Sequence, residues 1–194
     1  MFLKKNIFLI SFIFLFSLPC FATEKKLPDG YDRVKLFDTF EQVNSIYNNN
    51  LLKINLPGPF KSNLYVLQMN DPYIKEVDFE FSEGRLVWVC IRYKTTTGQW
   101  NSPQIIGFGD YPFETMEEKF VSQYGEPDDM DEGEKRRADT ITDIWKIWIW
   151  KNEKVVMEFE GKCHFSMGQQ GAYVYTQNIY PKELEEKLKE IREK

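Results

Sequence analysis

The apolar positions of this chain change their period in a regular order. Phe40, Val43 and Tyr47 fall on one helical face, and Thr39 and Gln42, spaced as a capping box, open that helix just after Phe37. Asn48-Asn49-Asn50 ends it. From Val77 the period drops to two: Val77, Phe79 and Phe81 alternate with Asp78 and Glu80, Ser82-Glu83-Gly84 turns the chain, and Arg85 to Tyr93 returns as a strand rich in Val, Trp and Ile. The helical phrase comes back at Phe113-Glu114-Thr115-Met116-Glu117-Glu118. There Thr115 and Glu118 repeat the cap spacing, Phe120 and Tyr124 continue the apolar side, and Gly125 and Pro127 stop it. A second hairpin follows, in which Ile141 to Trp150 and Lys154 to Glu160 flank Lys151-Asn152-Glu153. Leu64 to Met69 and Ala172 to Thr176 add strands. Pro181 starts a last helix with Leu184, Leu188 and Ile191 on one stripe and Glu183/Lys187 and Glu185/Lys189 as ion pairs one turn apart.

These elements predict an α+β fold: a mostly antiparallel sheet with helices on one face, built from two helix-plus-hairpin modules (about 36–94 and 111–180) and a C-terminal helix at 181–193. The modules form one domain over 36–194. Before it, residues 23–35 are polar, broken by Pro28 and Gly30, and read as an extended lead-in. Residues 1–22 read as a signal peptide, with Lys4 and Lys5, a twelve-residue apolar run from Ile7 to Leu18, and a small-residue cleavage site at Cys20-Phe21-Ala22. That run is too short to span a bilayer, so an exported chain, periplasmic or secreted, with no transmembrane span is expected. A lipid anchor at Cys20 is the alternative, although Pro19 stands where lipoprotein motifs carry a small residue.

The repeated phrase, Phe37 to Tyr47 and Phe113 to Pro127, resembles the tandem helix-and-sheet modules of the β-lactamase-inhibitor-like proteins and of BamE-like envelope lipoproteins. The resemblance implies an envelope module that binds another protein. It names no partner and places no interaction residue.

Composition narrows the function classes. With 194 residues, 42% of them hydrophobic and 16% aromatic, the chain has the means to bury a core, and its net charge of -5 excludes the basic face that grips nucleic acid. His164 is the only histidine, so a two- or three-His zinc site is excluded, and a nucleophile pair with Cys163 needs a bend because neighbours in a strand point to opposite faces. The run Asp128-Asp129-Met130-Asp131-Glu132-Gly133-Glu134 departs from EF-hand spacing, since Gly133 comes one position early and Thr140 stands where the bidentate Glu belongs. It reads as a solvated loop balanced by Lys135-Arg136-Arg137. Gly107-Phe108-Gly109-Asp110 lacks the spacing of a phosphate loop. No cofactor and no metal is expected.

Two features remain. In Trp145-Lys146-Ile147-Trp148-Ile149-Trp150 both faces of the strand are apolar. Either the strand is covered on both sides, or Trp88, Trp148 and Trp150 make an exposed aromatic face that binds a partner, with Trp100 and Phe108 on the Gly/Pro-containing loop 95–112. The acids that alternate outward, Asp78, Glu80, Glu158 and Glu160, read as a solvated sheet face. Cys90 and Cys163 are either a disulfide, worth about 4 kcal/mol for so long a loop, or two separate buried thiols. The expected function is a non-enzymatic protein-binding envelope protein, with a sugar- or lipid-binding protein as the alternative.

Overall fold

The computed structural model describes residues 25–56, 58–94, 113–138, 141–166 and 169–192. Residues 1–22, read above as a signal peptide, and residues 95–112, read above as a loop with Trp100 and Phe108, lie outside them. The chain forms an α+β fold whose main sheet has eight antiparallel strands.

A short pair, β1 (Gly30–Tyr31) and β2 (Val34–Lys35), precedes helix α1 (Phe40–Ile46). Four strands follow: β3 (Leu52–Ile54), β4 (Asn63–Gln68), β5 (Ile74–Ser82) and β6 (Arg85–Tyr93). Then come α2 (Phe113–Tyr124) and four more strands, β7 (Asp129–Ala138), β8 (Ile141–Lys151), β9 (Val155–Ser166) and β10 (Gln169–Pro181). A 3-10 turn (Lys182–Leu184) leads into α3 (Glu185–Arg192). The strand order is β3-β4-β5-β6-β10-β9-β8-β7, so the last strand of each run of four lies at the centre, joined through Thr176↔Arg92 to Ile179↔Val89.

Local chemistry explains much of this. The α1 cap is a reciprocal box: Gln42 N–H donates to Thr39 Oγ1 at 3.3 Å and Thr39 N–H donates to Gln42 Oε1 at 2.8 Å. Glu83 and Gly84 both take positive φ, 51° and 76°, the turn that suits a two-residue hairpin between β5 and β6. α2 begins at Phe113, which places Thr115 inside its first turn and not at its cap.

The lead-in contributes more than an extended tail. Leu27 and Val34 enter the main core beside Leu36, and Lys25 ties the lead-in to the segment before β7 by donating to Glu126 O at 2.6 Å and Asp128 Oδ1 at 2.8 Å. The acidic run at 129–134 is likewise strand and not loop, paired along its length with β8. At its middle the Trp145 ring lies over Gly133, where an added Cβ would come within 2.3 Å of the indole.

Two apolar clusters hold the layers together. Val43 of α1 and Phe120 of α2 pack with Phe79, Phe81, Trp148, Trp150, Phe159 and Tyr175 on one face. Leu188 of α3, supported by Leu184 and Ile191, packs with Phe60, Trp88, Ile147, Ile149, Val156 and Tyr180 on the other. The first two helices share a face, and α3 takes the opposite one. Among the described residues no helix is long and apolar enough to cross a membrane.

Candidate functional site

The structure removes the exposed aromatic face. Trp148 and Trp150 are both 0% exposed and Trp88 is 7% exposed. β8 is flanked on both sides and covered on both faces. Trp150 stacks on Phe120 at 5.6 Å and donates its indole N–H to Gly125 O at 2.7 Å, while Trp148 stacks on Phe159 at 5.8 Å. The indoles are core.

The solvated acidic face is overturned for three of its four members. Asp78, Glu80 and Glu158 are buried, because β5 and β9 lie inside the sheet and the face they share with α3 is covered. Asp78, Cys90, Asn178 and Glu158 stand side by side across β5, β6, β10 and β9. Each buried acid has a structural partner. Glu80 accepts the backbone N–H groups of Phe60 (3.1 Å) and Ser62 (2.9 Å), and so staples the 58–62 turn to the sheet. Glu158 accepts the Tyr180 hydroxyl at 2.7 Å, and Asp78 accepts two bonds from Arg92. Burial raises the Asp78 and Glu80 carboxyls above their usual range, opposed in Asp78 by Arg92 and in Glu80 by the two amides.

The disulfide is ruled out by register. Cys90 lies opposite Asn178 of β10 and Cys163 opposite Tyr173, on either side of that strand. Five positions of strand separate them, about 17 Å, far beyond the roughly 7 Å between Cα atoms that a disulfide bridges. Cys90 is a free buried thiol, pushed far up by burial and inert as a nucleophile. His164 occupies a β9 position opposite Ala172 and Asp143, next to Cys163 on an extended strand.

What the fold does create is a half-open cavity of about 360 Å³ between α2 and the centre of the sheet, lined by Tyr93, Lys119, Phe120, Ser122, Gln123, Tyr124 and Gln177. Its floor is polar where the rest of that face is apolar. Gln177, between Tyr175 and Ile179 on the face-side positions of β10, is buried; Tyr93 donates its hydroxyl hydrogen to Gln177 Oε1 at 2.9 Å, and Gln177 Nε2 donates to Met157 Sδ at 3.1 Å. The amide is therefore held in one orientation. Burial, with Tyr124 and Tyr31 nearby, pushes the Tyr93 phenol far above its usual range, and burial also raises Tyr124. Both remain O–H groups at ordinary pH, and Tyr93 is the donor to Gln177.

Sequence reasoning did not single out this group. The signal was present in Tyr175, Gln177 and Ile179, where one amide interrupts an apolar alternation. Comparison with models of protein families, with characterised proteins and with solved structures finds no match to the chain.

Proposed function

We propose that this chain is an exported, non-enzymatic binding protein that takes a small polar ring compound of the sugar class into the cavity beneath α2. The observation that carries the reading is Gln177, a buried amide fixed by Tyr93 on the floor of a half-open cavity. Amide, phenol and hydroxyl groups at Gln177, Gln123, Tyr124 and Ser122 suit a ligand with several hydroxyls, and the Phe120 and Tyr124 rings, 5.8 Å apart, offer apolar surface for a sugar ring. A lipid chain calls for a drier wall.

The test is calorimetry and NMR titration with a panel of monosaccharides and disaccharides. A saturable shift at Gln177 and Lys119 to Tyr124, weakened about tenfold or more by Gln177→Leu, supports the reading. A panel without any such shift overturns it.

A second reading draws on the order of elements. A helix and four strands, twice, support two like-built units joined at β6 and β10, the arrangement that the resemblance to β-lactamase-inhibitor-like and BamE-like proteins implies. In that reading the partner is an envelope protein, met on the β3 side, where Leu52 and Leu56 are 57% and 71% exposed. Export itself rests on the 1–22 segment. An intact mass starting at Thr23 supports simple cleavage, and an acylated Cys20 start supports the lipid anchor.

A further inference from the structure

Among the described residues β7 is the outermost strand on its side of the sheet, bonded to β8 alone. Its side chains from Asp129 to Glu132, with Glu134 and Lys135, stand exposed, Met130 among them at 49%. A strand that no other described strand pairs on its outer side is a template for another strand, and proteins commonly blunt such an edge with charge.

The charges of β7 are arranged otherwise. Asp129-Met130-Asp131-Glu132-Gly133-Glu134 carries four acids, and Lys135-Arg136-Arg137 carries three bases. An edge of one sign repels a second copy of itself. An edge with acids in its first half and bases in its second attracts one, provided the copies run antiparallel, because the acidic half of each then lies along the basic half of the other. The parallel arrangement sets acid against acid and base against base. A two-fold axis perpendicular to the sheet produces the antiparallel arrangement and closes the assembly at two copies.

We propose that two copies of this chain pair antiparallel along β7, fusing their sheets into one continuous layer. The seam is one strand long and falls short of the roughly 1,000 Å² of a durable interface. The pair therefore dissociates on dilution and in salt, as opposite-charge contacts in water are screened.

The test uses the purified chain in sedimentation analysis across concentration and salt. The expected result is a monomer–dimer equilibrium whose dissociation constant rises about tenfold or more from low to high salt. Two charge variants then locate the seam. Asp131→Lys, Glu132→Lys and Glu134→Lys together make the edge wholly basic beyond Asp129, and Lys135→Glu, Arg136→Glu and Arg137→Glu together make it acidic. Each variant alone sediments as a monomer, and their mixture recovers the dimer. A wild type that stays monomeric at millimolar concentration in low salt overturns the proposal. So does a dimer that survives in both variants, and so does a mixture that fails to associate although each variant keeps its far-UV spectrum.

Discussion

Arg92 on β6 holds Asp78 on β5 by a single carboxylate oxygen: Nε at 2.8 Å and Nη2 at 2.6 Å both reach Oδ2, while the buried Oδ1 accepts no hydrogen bond among the described residues. Glu76 lies 3.4 Å from the same guanidinium, and Gln68 donates to Glu76 at 2.9 Å, so the cation serves two acids on one strand. Such a half-satisfied charge sits where burial and pairing oppose each other.

The first prediction follows from the sign of that opposition. Burial raises the Asp78 carboxyl despite Arg92, so between the ordinary and the raised value the folded chain binds more protons at this site than the unfolded chain. Its contribution to stability is then full at acid pH and declines as pH rises through the raised value. Asp78→Asn keeps at every pH the neutral form that burial favours, so the wild type loses stability relative to it as pH rises. The stability of the wild type minus that of the variant, in urea denaturation, is greater near pH 4 than near pH 7. A difference that grows toward neutrality would show that Arg92, and not burial, governs the group.

Glu80 and Gly58 form a second pair. A Cβ on Gly58 would stand 2.3 Å from the Glu80 carboxylate, which is itself pinned by the amides of Phe60 and Ser62. Gly58→Ala displaces that carboxylate and leaves buried N–H groups unsatisfied, at about 2–4 kcal/mol. Thermal unfolding measures the loss. Glu80→Ala removes the same bonds without the clash, and a neutral outcome for it would end the view of Glu80 as a staple.

Trp150 provides the third. Trp150→Phe keeps the stack on Phe120 but deletes the indole donor to Gly125 O. The expected cost is about 1–2 kcal/mol, with the fold retained by circular dichroism. Trp150→Ala opens a cavity and costs about 3–5 kcal/mol. A loss under 1 kcal/mol for the alanine variant would contradict the burial described above.

The parts of the fold legible in the sequence are those decided within a few residues. Thr39 and Gln42 specify their cap wherever the helix docks, and Glu83-Gly84 specifies a hairpin turn through its backbone preferences alone. What covers a surface is decided elsewhere in the chain. Alternation in β5 separates Phe79 from Asp78 correctly. It says nothing of α3 and Phe60, whose packing on the second face turns Glu80 from a solvent-facing acid into a buried one. The same gap leaves Trp148 and Trp150 undecided between a covered strand and an exposed face, because the neighbours that cover them come from α2 and β9. The acids of β7 look like a loop because charge marks exposure, and an edge strand is exposed too; its pairing with β8 is set by Trp145 over Gly133 and by hydrogen bonds that carry no local mark. The cavity was readable only as the anomaly of Gln177 among Tyr175 and Ile179.

The meeting of β6 with β10 has a consequence for biogenesis. β10 is the last of the described strands along the chain, and β6, more than eighty residues earlier, pairs with it through positions 89–92. Until β10 emerges the nascent polypeptide carries two half-sheets, each with a raw apolar margin. A truncation before residue 176 would therefore leave neither half able to finish, and such products are the ones expected to clump or to occupy chaperones.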